Sequence, residues 1–173
     1  MNNEKFDFSE LYDKKMAIFL ICKENNKEGK KIINIFISQL LSQFKIKDIG
    51  KEKIFLLLDE IDMFGKIYEL PRNIEIARTR GMSISLLTSN LSKINKIYGD
   101  DYYSIISSID TQMLLGTILK EDINYFSDVL GLDNEFIKND LGRDQLLIYE
   151  KGLKPILAEK QYFFENEEWK SVL

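Results

Sequence analysis

Histidine is absent from this 173-residue chain. Its absence excludes Ser-His-Asp and Cys-His catalysis, histidine general bases and histidine-ligated zinc or iron. What chemistry remains must run on carboxylates, lysine, arginine, hydroxyls and a hard cation such as Mg²⁺. There is one cysteine, Cys22, which cannot form an intrachain disulfide, so a cytosolic compartment is the expectation. Cys22 sits in an apolar run with no histidine to activate it and reads as a core residue rather than a nucleophile. Long hydrophobic runs are missing too. The longest, 16–22, is far too short to cross a bilayer, and the opening residues show no signal-peptide core. With two prolines, and no proline-rich linker, internal repeat or low-complexity tract, the chain is expected to be one domain or one lobe of a larger one.

A phosphate-cradling loop is also lacking. Such a loop needs Gly-x-x-x-x-Gly-Lys-[Ser/Thr], whose backbone N–H groups and lysine wrap the phosphates. Gly-Lys occurs at 29–30, 50–51 and 65–66, but none of the three has a glycine five residues earlier or a hydroxyl residue after it. A net charge of −4 argues against a free-standing DNA-binding module. Hydrophobic residues at 45% and charged residues at 30% place the chain among core-forming globular proteins, not disordered or membrane-spanning ones.

Periodicity predicts strands alternating with helices. After a polar lead-in over 1–14, with a turn near Phe8 to Tyr12, the run 16–22 reads as a buried strand. Apolar residues recur at helical spacing over 27–45 (Ile32, Ile33, Phe36, Ile37, Leu40, Leu41, Phe44). A strand over 53–59 follows, then a helix over 70–80 with Pro71 in its first turn and Gly81 beyond its end. Next come a strand over 83–88, a short helix over 91–98, a helical stretch over 101–108, a strand over 110–115 and a helix over 120–130 closed by Gly131. The segments 144–150 and 153–161 alternate apolar and polar residues around Glu-Lys-Gly, a hairpin signature. This alternation predicts an α/β fold with a mostly parallel sheet. Tyr102, Tyr103, Tyr125, Phe126, Tyr162, Phe163 and Phe164 fall at core-like spacings and call for no cofactor.

The densest functional signal is 54–60, five apolar residues running into Asp59 and Glu60. A short unbroken apolar run reads as a strand buried on both faces, and ligands of parallel sheets bind at the carboxyl ends of such strands. An aspartate there can hold Mg²⁺ through water, and a neighbouring glutamate can polarise an attacking water. An ordinary charged strand end is the alternative. Arg78 and Arg80, beside Gly81, could reach a phosphoryl group in a neighbouring site, or simply sit at the helix C-terminus they help to neutralise. Ser89 and Asn90, at the tip of the next strand, could sense a terminal phosphate or cap the following helix. Lys93 and Lys96 flank the approach to Tyr98, but Asp100 and Asp101 cancel their field, so a solvated helix face is the better account than a nucleic-acid patch.

In this order the motifs resemble the C-terminal half of the ATPase domain of type IV coupling proteins, the TraG/TraD-like motors of conjugation and type IV secretion. The resemblance runs from Phe6 to about Phe164. Its residues are Phe6-Asp7-Phe8-Ser9-Glu10-Leu11, Phe36-Ile37-Ser38-Gln39-Leu40, Leu58-Asp59-Glu60 and Phe64-Gly65-Lys66-Ile67. They continue through Ala77-Arg78-Thr79-Arg80-Gly81, Leu91-Ser92-Lys93, Ile97-Tyr98-Gly99, Asp110-Thr111, Leu115-Gly116-Thr117 and Lys154-Pro155-Ile156-Leu157-Ala158. Each is weak alone; the ordered series is specific.

The resemblance implies a partial RecA-like P-loop NTPase fold over 1–173 lacking the P-loop strand, with Mg²⁺ and ATP as ligands. It further implies a hexameric ring acting on DNA with relaxosome and secretion-channel proteins at the cytoplasmic face of the inner membrane. By the same resemblance Asp59 is the Walker B aspartate, Glu60 the catalytic glutamate, and Arg78 or Arg80 the trans-acting arginine. Ser89 stands where the family usually has glutamine, and its shorter reach puts phosphate sensing in doubt. The missing P-loop strand implies a chain that is incomplete alone and associates with a P-loop-bearing remainder or partner. Two other readings stay open: a non-catalytic interaction module derived from such a motor, and an unrelated α/β protein using Asp59 in Mg²⁺-dependent phosphotransfer.

Overall fold

A computed structural model describes residues 8, 10–43 and 53–162. The start of the lead-in, the end of the predicted first helix at 44–45, Phe163 and Phe164 lie outside them. The chain divides into two compact units, Met1–Ser108 and Ile109–Leu173.

In the first unit a short turn of helix, α1 (Glu10–Asp13), opens the described chain. Helix α2 (Lys27–Gln43) follows the predicted periodicity and buries Ile33, Ile37, Leu40 and Leu41. It is tied to the loop after the next strand by Asn34, whose Nδ2 donates to the carbonyls of Phe64 at 2.9 Å and Lys66 at 3.1 Å. Strand β1 (Ile54–Leu58) and strand β2 (Met82–Leu86) pair in parallel, Ile54 opposite Met82 through Leu58 opposite Leu86. Between them runs α3 (Leu70–Ala77), which gives way to a 3₁₀ turn at Arg78–Arg80 and ends at Gly81 with φ +63°. Helices α4 (Leu91–Tyr98) and α5 (Tyr102–Ser108) follow, joined by a 3₁₀ turn. Ile61, Ile67, Leu70, Ile94, Tyr98 and Ile105 fill this unit's core. Tyr98 keeps its hydroxyl satisfied there by accepting from the Ile67 backbone N–H at 3.3 Å.

The second unit is an antiparallel sheet, β3 (Thr111–Leu114), β4 (Gln145–Glu150) and β5 (Ile156–Glu159), in the order β3-β4-β5. Helix α6 (Lys120–Leu130) supplies Ile123, Phe126 and Leu130 to the core, with Leu114, Ile137 and Leu147. Gly131, at φ 65°, closes α6 in a left-handed conformation open to glycine. A π-helical turn at Phe136–Asp140 has no signal in the periodicity.

Several expectations are corrected. Residues 16–22 belong to no strand, and Phe19 and Ile21 are 81% and 91% exposed. An apolar run forms a strand only where a neighbouring strand takes up its N–H and C=O groups, and none of the described residues does so here. Cys22 is therefore half-exposed rather than in a core, its Sγ within 3.4 Å of the Lys23 carbonyl and 3.5 Å of the Asn26 carbonyl. Among the described residues the parallel arrangement holds for β1 and β2 alone, because the strand predicted over 110–115 pairs antiparallel with the hairpin. Tyr103 and Tyr162 are exposed, unlike Tyr102, and β1 is not buried on both faces, since Phe55 and Leu57 alternate outward on one of them.

Candidate functional site

Two hydrogen bonds continue the β1–β2 ladder past the strands. The Leu87 N–H donates to the Leu58 carbonyl at 2.9 Å, and the Ile61 N–H donates to the Leu87 carbonyl at 3.0 Å. Leu58 and Ile61 are both buried, so the two residues between them are squeezed outward as a tight turn. Those residues are Asp59 and Glu60, both exposed at the carboxyl end of β1. Glu60 takes φ 47° and ψ 49°, a left-handed conformation that a residue with a Cβ rarely adopts. Its carbonyl accepts from the Met63 N–H at 2.8 Å, starting the 3₁₀ turn Ile61–Phe64. Among the described residues neither carboxylate is held by a hydrogen bond or ion pair.

The next acid behaves differently. Asp62 has a side chain only 5% exposed, and its Oδ2 accepts from Lys93 Nζ at 2.9 Å. Thr88 Oγ1 lies 3.1 Å from Asp62 Oδ1 and 3.0 Å from the Asn90 carbonyl, so a single hydroxyl proton is shared between them. Burial pushes the Asp62 carboxyl up, but the hydrogen bonds from Lys93 and Thr88, with the charge of Lys93, outweigh it and hold the group below the ordinary carboxylate range. Sequence reasoning missed this pair. The one local hint is an acid set among apolar Ile61, Met63 and Phe64; its partner is 31 residues away.

At the tip of β2 the capping alternative falls to Asn90, whose side chain accepts from the Lys93 N–H at 2.9 Å as the N-cap of α4. That leaves the exposed Ser89 outside the cap, and its Oγ instead accepts from Lys93 Nζ at 2.9 Å and Asn90 Nδ2 at 3.3 Å. Asp59, Glu60, Asp62, Ser89 and Lys93 thus share the carboxyl ends of β1 and β2. The arginines do not. Arg78–Arg80 immediately precede Gly81, whose carbonyl accepts from the Ile54 N–H at the amino end of both strands. A five-residue strand, roughly 16 Å long, therefore separates them from the acidic turn. Arg80 is half-buried, and the side chain of Arg78 lies outside the description.

The family model described as the TraM recognition site of TraD and TraG matches residues 53–141, from β1 through the π-helical turn. The chain belongs to the type IV coupling protein family, in its C-terminal part. Solved structures agree in fold. The plasmid coupling protein TrwB in complex with the GTP analogue GDPNP superposes with a TM-score of 0.68 at 14% identity, over 81% of this chain and 39% of that one. TrwB with ADP and Mg²⁺ gives 0.67 at 14% identity, over 81% and 38%. The bacterial conjugative coupling protein TrwBdeltaN70, in a trigonal form with sulphate, gives 0.68 at 13%, over 81% and 39%. This coupling-protein chain therefore spans about two fifths of the length of the structures it matches. No curated protein matches. The matched span contains both strand tips, and with them every member of the cluster above.

Proposed function

We propose that this chain supplies the Walker B half of a RecA-like nucleotide-binding lobe in a conjugative coupling protein. The carrying observation is the exposed Asp59–Glu60 turn at the carboxyl ends of a parallel strand pair, inside the family-matched span. Strained backbone at a charged, exposed residue is a feature of functional sites, and Glu60 has it. The donors present fit a water-mediated hard cation. No cluster of three or more metal-ligating side chains occurs among the described residues, and Mg²⁺ characteristically keeps its waters and phosphate ligands rather than a protein cage. Bound Mg²⁺–ATP supplies the phosphoryl group and the counter-charge for its transfer. Asp59 would hold the metal through its waters, Glu60 would act as the base toward a water, and Ser89 would be the polar side chain offered to a terminal phosphate. Arg78 or Arg80, a strand length away, serves the site of a neighbouring subunit in a hexameric ring.

On this reading hydrolysis drives DNA transfer at the cytoplasmic face of the inner membrane. The lobe is completed by a P-loop-bearing remainder of the same protein or by a partner chain. Surface exposure supports incompleteness: parallel sheets are covered on both faces, yet Phe55 and Leu57 of β1 are 76% and 66% exposed. The test is ATP turnover by this chain mixed with a purified polypeptide carrying the P-loop half. The mixture hydrolyses ATP, the chain alone does not, and Glu60→Gln lowers the rate of the mixture about a hundredfold or more. Turnover by the chain alone, or turnover indifferent to Glu60→Gln, overturns the proposal.

The family's description as a recognition site favours a second reading, in which the chain is an interaction module for a TraM-like relaxosome protein. In that case mixing the chain with a full-length coupling protein inhibits transfer without any contribution from Glu60.

A further inference from the structure

Asparagine is a poor residue for a helix interior, because its side chain competes with the helix's own backbone. Asn34 nevertheless stands in the middle of the 17-residue α2, half-buried beside Ile33 and Ile37. Its amide is fully committed. One Nδ2 proton goes to the Phe64 carbonyl at 2.9 Å and the other to the Lys66 carbonyl at 3.1 Å, while Oδ1 accepts from Ser38 Oγ at 3.4 Å. Two carbonyls can be met only by the NH₂ end of the amide, so its orientation is set by its partners. Gly65, between those carbonyls, takes φ 70° and ψ −165°, a region nearly closed to residues with a Cβ.

These bonds hold the far end of the turn that begins at Glu60. At the near end Leu87 fixes Leu58 and Ile61, and within the turn the Met63 N–H closes onto the Glu60 carbonyl. Asn34 then fixes Phe64 and Lys66 from a separate element, α2. A residue with a Cβ stays at positive φ only where its surroundings over-determine it. We propose that Asn34 is a positioning residue for the acidic turn: by clamping the carbonyls on either side of Gly65 it keeps Glu60 left-handed, and with it the outward placement of Asp59 and Glu60. The use of that turn in ATP hydrolysis rests on the reading above; the clamp itself does not.

The experiment compares the 173-residue chain with Asn34→Ala and Asn34→Asp by NMR. Alanine removes both donors and favours α2 itself, so the helix is not weakened. Aspartate keeps the shape and cannot donate. In the wild type Glu60 gives the strong intraresidue HN–Hα cross-peak that marks positive φ. In both variants that peak weakens, and exchange of the Met63 amide speeds up about tenfold, the loss of two ordinary hydrogen bonds. Ser38→Ala, which removes a neighbour of Asn34 but neither donor, leaves both readouts unchanged. Gly65→Ala has room for its methyl group but not for its backbone angle, and moves them as Asn34→Ala does. A Glu60 cross-peak that survives Asn34→Ala, or that weakens as much in Ser38→Ala, overturns the proposal. A second arm follows ATP turnover in the mixture with the P-loop half. There Asn34→Ala lowers kcat about tenfold and leaves KM for ATP within about twofold, because the carboxylates are present but misplaced. A variant as fast as wild type overturns the positioning role. A wild-type mixture without turnover counts against the nucleotide reading, and the Glu60 cross-peak still decides the clamp.

Discussion

Glu60→Gly separates backbone strain from chemistry at one position. The left-handed conformation costs a residue bearing a Cβ about 1–2 kcal/mol, and glycine almost nothing. Against that, glycine loses more backbone freedom on folding, about 0.5–1 kcal/mol relative to alanine. The Glu60 side chain forms no hydrogen bond or ion pair with the described residues, so its removal costs little else. The net expectation for Glu60→Gly is a gain of about 0.5–1 kcal/mol, while Glu60→Ala, which keeps the Cβ and the strain, stays near zero. Native-state hydrogen exchange reads this locally, at the Ile61 and Leu87 amides that bracket the turn. Their exchange slows about two- to fivefold in Glu60→Gly and is unchanged in Glu60→Ala. Faster exchange in the glycine variant, or equal behaviour of the two, refutes the claim that this turn stores strain. The proposed function adds a contrast: a variant that improves the fold removes the water-polarising carboxylate.

The Asp62–Lys93 pair makes stability depend on pH. A carboxyl held below its ordinary value contributes stability above that value, about pH 3.9, and loses it as pH falls through the lowered native value. Asp62→Asn therefore costs about 1 kcal/mol at neutral pH, a figure discounted because Lys93 is half exposed, and the difference from wild type closes in acid urea titrations. A constant difference across that range would show that the carboxylate charge is not the source. Segment 16–22 carries its own probe: Cys22, half-exposed and outside any strand, reacts with a thiol reagent in the native chain at nearly its rate in urea. Strong native protection would place the segment in a strand after all.

Much of the local structure could be read directly. The spacing of Ile33, Ile37, Leu40 and Leu41 marks the buried stripe of α2, and α4 and α6 have the bounds that periodicity predicts. Helical bonding and amphipathic burial depend on neighbours three and four residues away, which a single sequence displays. The hairpin β4–β5 was legible for the same reason, since its turn and its alternation are contiguous. The acidic turn was legible as a motif because a strand ending in two carboxylates is written in consecutive residues. Its geometry was not: the outward bulge of Asp59 and Glu60 depends on Leu87, which lies 29 positions beyond Leu58 and bonds both ends of the turn.

By itself the sequence determined which segments are helical, where apolar strands end in charge, which catalytic classes are impossible without histidine, and, through the order of its motifs, the family. Only the tertiary structure decided which apolar run finds a strand partner and which, like 16–22, finds none among the described residues. It also decided that β3 runs antiparallel to β4, that Arg78 and Arg80 stand at the opposite end of β1–β2 from Asp59, and that Asp62 locks Lys93 against Ser89. The physical reason is common to all four. Strand pairing, sheet direction and buried charge pairing join residues far apart in the chain, and their energies come from partners that no local pattern names.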